Sequence, residues 1–433
     1  MSVNKIDSKD FSVEQLGSPG IVSPLKQANF INDDADVLYP SSSEELAAFS
    51  KDNTTNPTFE QAGPRREIFH DPSWTKAAIL TAGGLCPGIN DVIKGLTRTL
   101  ILQYKVPVVY GIRYGYRGLI PSFGLQPVIL NEENVDNIHE SGGTMLGSSR
   151  GRQDEEKMVD TLVRMNINIL FCIGGDGTLR CAHDIAQVIK KRKLSISVIG
   201  IPKTIDNDIG FIDQSFGFET AVYATNPVIT AAHNEAKGAY NGIGLIKVMG
   251  RDSGFIAAYA ALANSHVNYC LVPEEKFQLN GGAPDSLLTS LEKRLAEKQH
   301  AVIIVAEGAG QELFAETLSK TDASGNKLHE DIGLLLKDKI QEYFKAKSIE
   351  VNLKYFDPSY MIRSLPAFGT DAVFCIMLAQ NAVHAAMAGR TDMVVGHWND
   401  FFTNVPISLA TRERKKIDLA SPLWNSVKSI TSF

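Results

Sequence analysis

The sequence predicts an α/β fold of the doubly wound kind, a mainly parallel sheet covered by helices on both faces and preceded by an N-terminal extension. Two observations predict it. From Lys76 onward, short β-branched runs end in glycine-rich turns and are followed by helical patterns, the texture of repeated strand, turn and helix units. Those runs are apolar nearly throughout rather than alternating, and continuous apolarity implies strands buried on both faces.

Taken in order, residues 1–75 are rich in Ser, Asn, Asp and Pro and carry only a short helical pattern from Glu44 to Phe49. They read as an extension outside the core fold. Strands are then expected at Ala77–Thr81, Val106–Gly111, Ile167–Ile173, Ser195–Ile201, Ile243–Val248, Tyr269–Val272 and Val302–Ala306. Helical patterns at Glu155–Met165, Leu179–Lys191 and Thr370–Ala388 are expected to pack outside the sheet. In such sheets ligands bind beyond the carboxyl ends of the strands, and the loops there hold nearly all the glycine clusters.

Composition narrows the ligand. A chain of 433 residues, 44% hydrophobic and 21% charged, can bury the cores of two or three domains. A net charge of -6 gives no general attraction to nucleic acid or to an anionic membrane, so neither is an expected partner. The Lys190–Lys193 cluster reads as a solvated helix end. An anion site would have to be local, built from Arg, Lys and backbone amides, which suits a small anionic ligand. Cys86, Cys172, Cys181, Cys270 and Cys375 show no CxxC spacing and fit buried thiols of a reducing, cytosolic compartment. Signal-peptide, membrane-span and Ser-Lys-Leu patterns are lacking.

Three loops carry the chemistry. Gly83-Gly84-Leu85-Cys86-Pro87-Gly88 joins the first strand to a helix beginning near Asn90, and free amides at a helix N-terminus attract anions. Tight turns of this composition are also often purely structural. Gly174-Gly175-Asp176-Gly177-Thr178 places one carboxylate among glycines, which lets a polyphosphate approach the backbone while Asp176 holds Mg²⁺. The competing reading is a turn whose Asp caps the next helix. Pro202-Lys203-Thr204-Ile205-Asp206-Asn207-Asp208 offers two carboxylates that can divide labour, one accepting a proton and one supporting metal and water, with Lys203 and Thr204 beside a transferring phosphoryl group. A plain polar turn would not need the Lys-Thr pair before it.

These residues resemble the phosphofructokinase family from about Lys76 to about residue 412. The resemblance rests on ordered blocks: Leu80–Asn90, Gly142–Arg150, Gly174–Thr178, Pro202–Asp208, Met249-Gly250-Arg251, Glu307 after a strand, and Asp357–Ser364. Diacylglycerol, sphingosine and NAD kinases share a GGDG element but lack the later blocks. The resemblance implies two Rossmann-like lobes: residues 76–217 with 362–412 for ATP and Mg²⁺, and residues 218–361 for fructose 6-phosphate, with 413–433 as a tail. It implies that Asp206 is the general base, Asp176 the metal ligand and Asp208 its support. Gly84, Tyr116, Arg150, Gly151, Gly175, Asp176, Gly177 and Thr178 match positions around the donor nucleotide. Thr204, Ile205, Asp206, Met249, Gly250, Arg251, Glu307, Lys354, Tyr360, Met361, Ile362 and Arg363 match positions that hold the sugar phosphate, with Arg251 and Thr204 also stabilising the transferring oxygens. Arg251 and Arg363 suit phosphate oxygens, and Glu307 can accept from sugar hydroxyls.

The chain departs from shorter relatives at Lys354 (Arg there), Tyr360 (His there) and Gly242 (another Arg there), so part of the 6-phosphate site must be built differently. Two positions bear on the donor. Lys203 matches pyrophosphate enzymes, whereas Gly177 stands where those enzymes typically carry Asp. An Asp side chain would project negative charge into the space of an ATP α-phosphate, so Gly177 favours ATP. The expected activity is ATP-dependent transfer to the 1-hydroxyl of fructose 6-phosphate, in a homodimer or homotetramer subject to allosteric control. The alternatives are a pyrophosphate-dependent enzyme and an inactive phosphate-binding regulator.

Overall fold

The computed structural model of the chain describes residues 6–26, 29–50, 56–279, 286–314 and 329–432, so parts of the expected extension (1–5, 27–28 and 51–55) and Phe433 lie outside the described residues. The chain divides into two units. The first comprises Met1–Thr204, Ile209–Gly217 and Leu365–Arg414, and the second Ile205–Asp208, Phe218–Ser364 and Lys415–Phe433.

The first unit is built on a nine-stranded sheet. Its centre is parallel, in the order Met393–Trp398, Ser197–Pro202, Ile169–Gly174, Lys76–Thr81 and Val108–Ile112. Ile169, Leu170, Phe171 and Ile173 are all at 0% exposure, and burying each such side chain contributes about 1.5–3 kcal/mol. Alternation along the strands serves two layers. Ala78, Leu80, Leu170, Cys172 and Val198 point into a core with helices Glu155–Arg164 and Asp176–Lys191. Ile79, Phe171 and Ile199 face the opposite way, where helix Ile89–Arg98 packs on helix Gly369–Met387. Asp154 starts the Glu155 helix by accepting the Lys157 amide at 3.1 Å, which satisfies a donor that has no partner within the helix.

Antiparallel strands finish the edges: Val128–Leu130 on one side, and Phe401–Pro406, Thr58–Gln61 and Asp36–Leu38 on the other. Part of residues 1–75, read from sequence as an extension, is thus woven into the sheet of the first unit. Strands of three and four residues are too short for a hydrophobic period to register.

The second unit has a four-stranded, all-parallel sheet in the order Tyr269–Leu271, His300–Ala306, Gly242–Val248 and Asn352–Phe356. Leu288, Leu291, Leu336 and Phe344 of helices Leu287–Lys298 and Ile332–Ala346 close one face of it. The residues expected as a C-terminal tail include helix Pro422–Ile430, which packs on helix Phe255–Ala263. No described helix is long and apolar enough to cross a membrane.

The topology selects one end of each sheet. In the first unit the chain moves from Lys76–Thr81 to Val108–Ile112 on one side and then to Ile169–Gly174 on the other. In the second, Gly242–Val248 likewise has His300–Ala306 and Asn352–Phe356 on opposite sides. Where successive strands leave in opposite directions, the loops diverge and a crevice opens at the carboxyl ends.

Two buried histidines of the first unit give it a pH dependence. Burial pushes both His70 and His384 down to about 4; His70 bonds Ser197 at 3.0 Å and His384 bonds the Tyr104 hydroxyl at 2.9 Å. Their folded-state values lie below the unfolded value of about 6.5. Between these limits the unfolded chain binds more protons, so their contribution is present above about pH 6.5 and is lost as pH falls toward 4. Each group accounts for about 3 kcal/mol over that window. Urea unfolding between pH 7 and 4 should show this loss, reduced in His384→Gln; an unchanged slope in the variant would contradict it.

Candidate active site

In the first unit, loops from both sides of the strand divergence meet at one place. The Ala82 amide donates to Ile173 at 3.0 Å and the Gly83 amide to Ser149 at 3.1 Å, extending hydrogen bonding past the end of the sheet. Lys203 donates its main-chain amide to Gly174 and its ammonium to the Gly84 carbonyl, at 2.9 and 2.7 Å. Gly84, Gly175 and the Gly174–Thr178 turn therefore share one neighbourhood with Lys203, whose side chain is only 6% exposed.

Asp176 opens helix Asp176–Lys191, with Gly175 at the N-cap and no side-chain cap bond. The carboxylate does not cap the helix. It turns to Arg180, whose Nε lies 3.1 and 3.2 Å from its oxygens, with Arg414 3.9 Å away. Gly177 follows in the first turn, and a Cβ built there meets nothing within 4 Å. Glycine disfavours a helix by about 1 kcal/mol against Ala, and no neighbour here demands it. The space that a side chain would take at this position is open.

Not every residue expected around the donor faces that space. Tyr116 is 5% exposed and its hydroxyl donates to the Thr178 carbonyl at 2.7 Å, so it underpins the turn from below. Burial next to Cys172 and Cys181 drives its pKa well up, fixing the neutral donor form. Arg150 is exposed, and Gly151 follows with a positive φ of 98°. Beside them is a cavity of about 240 Å³, lined by Tyr114, Arg117, Phe123, Leu125, Ser148 and Ser149. Its half-exposed aromatics carry no motif that a sequence reading would flag.

In the second unit, the turn after Gly242–Val248 and the turn after His300–Ala306 are joined by Glu307 N to Val248 O and Gly308 N to Gly250 O, both 3.0 Å. A Cβ at Gly308 would stand 1.9 Å from the Arg251 carbonyl, so only glycine lets the two turns close. Arg251 and Glu307 thereby share one strand-end neighbourhood. Burial raises the Glu307 carboxyl above its ordinary range, with Arg251, Lys247 and Arg363 pulling it back. Three cations around one carboxylate suit a ligand that carries both hydroxyls and phosphate.

Asp357 ends the neighbouring strand and fastens the next turn, accepting from Ser359 N at 3.2 Å and Ser359 Oγ at 2.6 Å. That turn anchors through Ile362, 1% exposed, and presents Tyr360 and Met361 outward, with Arg363 4.5 Å over the Tyr360 ring. Ile362 is thus an anchor rather than a contact surface. Lys354 stands in mid-strand opposite Gly244, exposed and away from the strand ends of its own unit.

Ile205–Asp208 also belongs to this unit. Asn207 adopts a positive φ of 52°, which turns the chain between the two aspartates. Ser253 Oγ donates to the Asp206 carbonyl at 3.3 Å and the Lys415 amide to the Asp208 carbonyl at 2.9 Å. Ser253 belongs to the same turn as Arg251, so the stretch carrying Asp206 is tied to the Met249-Gly250-Arg251 turn. Ile205 is buried.

Sequence reasoning missed Lys247. Its ammonium lies 2.6 Å from Asp331 and 2.9 Å from Asp357. Burial alone would lower its pKa, but the two carboxylates raise it above the ordinary lysine range. A single lysine in an otherwise apolar strand, Gly242–Val248, was the available signal. Lys247→Met would leave two carboxylates facing each other, with a loss of about 1–3 kcal/mol, between values for exposed and fully buried pairs. The midpoint of urea unfolding measures this, and an unchanged midpoint would show the ion pairs to be idle.

A family model described as Phosphofructokinase matches residues 76–386. A protein of Borreliella burgdorferi named ATP-dependent 6-phosphofructokinase is 48% identical over 99% of this chain and 97% of its own length. One of the same name from Amycolatopsis methanolica is 44% identical over 98% and 94%. Among solved structures, a pyrophosphate-dependent phosphofructokinase from Marinobacter aquaeolei superimposes with a TM-score of 0.66 over 82% of this chain and 91% of its own. Its identity of 20% makes that a likeness of fold alone.

Proposed function

The chain belongs to the phosphofructokinase family, and from that membership we propose that it transfers the γ-phosphoryl group of ATP to the 1-hydroxyl of fructose 6-phosphate. The products are fructose 1,6-bisphosphate and ADP. One observation supports ATP as donor above all: the Cβ position of Gly177 is open at the N-terminus of the helix after Gly175. The donor polyphosphate then lies against the Gly84 and Gly175–Thr178 amides, with Arg150 and Gly151 bordering the nucleoside part.

Asp206 takes the proton of the attacking hydroxyl as the new P–O bond forms and the bond to the leaving ADP oxygen breaks. Arg251, Thr204 and the Gly84 amide stabilise the oxygens of the transferring group, and Lys203 stands beside them. Glu307, Arg251, Met249 and the Tyr360–Arg363 turn hold the sugar phosphate. Among the described residues no three His, Cys, Asp or Glu side chains converge as a metal cage. Mg²⁺ is a hard cation that needs only one or two carboxylates and completes its shell with phosphate oxygens and water. Asp176 would hold it with support from Asp208, and its charge would neutralise the β- and γ-phosphate oxygens. A cytosolic setting accords with five buried cysteines held as thiols, and a homodimer or homotetramer is the assembly proposed.

A coupled assay for fructose 1,6-bisphosphate, run with ATP and then with pyrophosphate, tests the proposal. Product with ATP is the expected result. Product with pyrophosphate alone would favour the second donor, and product with neither would leave a binding protein.

A further inference from the structure

The N-terminal segment has no part in the chemistry above, yet it grips the chain immediately downstream of Asp208. Asp7 caps a single helical turn, Ser8–Phe11, through a reciprocal pair of bonds with Asp10 and Lys9. The turn packs on strands Thr58–Gln61 and Phe401–Pro406. Its last two residues point to two different segments. Phe11, 3% exposed, meets Phe211 edge-on at 6.0 Å and Phe59 at 4.9 Å. Tyr39 closes the cluster, 5.4 Å from both Phe11 and Phe211 and stacked on Trp398 at 5.3 Å. Asp10 pairs with Arg412 at 2.9 Å.

Both gripped segments border the catalytic stretch. Phe211 lies three positions after Asp208 and has a φ of 60°, a left-handed conformation that a bulky residue adopts only when its surroundings impose it. The surroundings are the aromatic cluster. Arg412 belongs to the stretch that runs beside Ile209 and Gly210: Ile209 bridges Arg414, and a Cβ on Gly210 would stand 2.6 Å from the Glu413 carbonyl. The next residue in that stretch, Lys415, bonds the Asp208 carbonyl. The neighbouring Thr411 carbonyl accepts from Arg180, which also holds Asp176.

We infer that Phe11 and Asp10 form a clip, a pair of positioning residues that holds Phe211 in its left-handed conformation and the Arg412–Lys415 stretch beside it, and so fixes Asp206 and Asp208 for turnover. The inference rests on the reading of Asp206 as the base. The clip touches neither substrate, so its loss lowers kcat and leaves substrate affinity in place. A misplacement of about 1 Å at a remote support can reduce turnover by up to about a hundredfold.

The test compares Phe11→Ala, Phe11→Leu and Phe11→Ala/Phe211→Gly, with the folded fraction of each determined by circular dichroism. Phe11→Ala should lower kcat about tenfold or more per folded molecule, with both KM values within about threefold. Phe11→Leu, which keeps the site filled, should lose much less. Glycine enters the left-handed region without a clamp, so the double variant should regain most of the lost kcat. If Phe11→Ala does not fold, Phe11→Leu against Phe11→Leu/Phe211→Gly carries the same comparison. Unchanged kcat in a folded Phe11 variant, or no recovery in the double variant, overturns the clip. Asp206→Ser measured alongside separates the two claims: if it is inactive while Phe11→Ala is normal, the clip alone fails, whereas an active Asp206→Ser removes the base itself.

Discussion

Asp206→Ser should lower kcat by roughly 10³–10⁴-fold while leaving both KM values within about threefold. The reason lies in how the stretch is held. Two of its fixings, from Ser253 Oγ to the Asp206 carbonyl and from the Lys415 amide to the Asp208 carbonyl, end on main-chain oxygens and do not use the side chain that the substitution removes. Arg251 and Arg363, the cations proposed to bind phosphate, also remain. What disappears is the proposed acceptor for the hydroxyl proton, needed only as the new bond forms, so kcat and kcat/KM should fall together. Steady-state kinetics with each substrate varied provides the measurement. A near-normal kcat would sink the assignment.

Gly177→Asp should damage ATP use far more than any use of pyrophosphate. The new side chain would enter the open space at the helix N-terminus, where nothing within 4 Å of the Cβ would deflect it. Two like charges 4 Å apart repel by about 4 kcal/mol at an effective dielectric of 20, close to a thousandfold in binding. An α-phosphate would meet that repulsion with the adenosine behind it, whereas pyrophosphate has no third phosphate to place there. kcat/KM for the two donors, measured on the same preparation, gives the comparison. Equal loss with both would show that position 177 does not read the donor.

The central strands were legible because burial on both faces writes itself as uninterrupted apolar runs. Ile167–Ile173 and Ser195–Ile201 were expected where Ile169–Gly174 and Ser197–Pro202 stand. Met393–Trp398 escaped notice although it is central and parallel, since its apolar run stops at Val395, before Gly396 and His397. Asn352–Phe356 escaped because it is a partly exposed edge. At the site, the loops stood out through their glycines and carboxylates. The pairing of Lys247 with Asp331 and Asp357 could not, because it joins positions 84 residues apart and more by geometry alone. Tyr116 shows the converse: its motif position suggested a ligand contact, whereas its hydroxyl supports Thr178 from within the core.

If Gly177 reads the donor as proposed, the open helix turn there also sets stability against donor choice. Almost any other residue would favour that helix by up to about 1 kcal/mol, and an acidic one would gain about 0.3–1 kcal/mol more from the helix dipole. A substitution that spoils ATP use would therefore make the folded protein more robust. Selection for heat resistance alone, with no demand for activity, should drift away from glycine at this helical position, whereas selection that also demands ATP use should retain it.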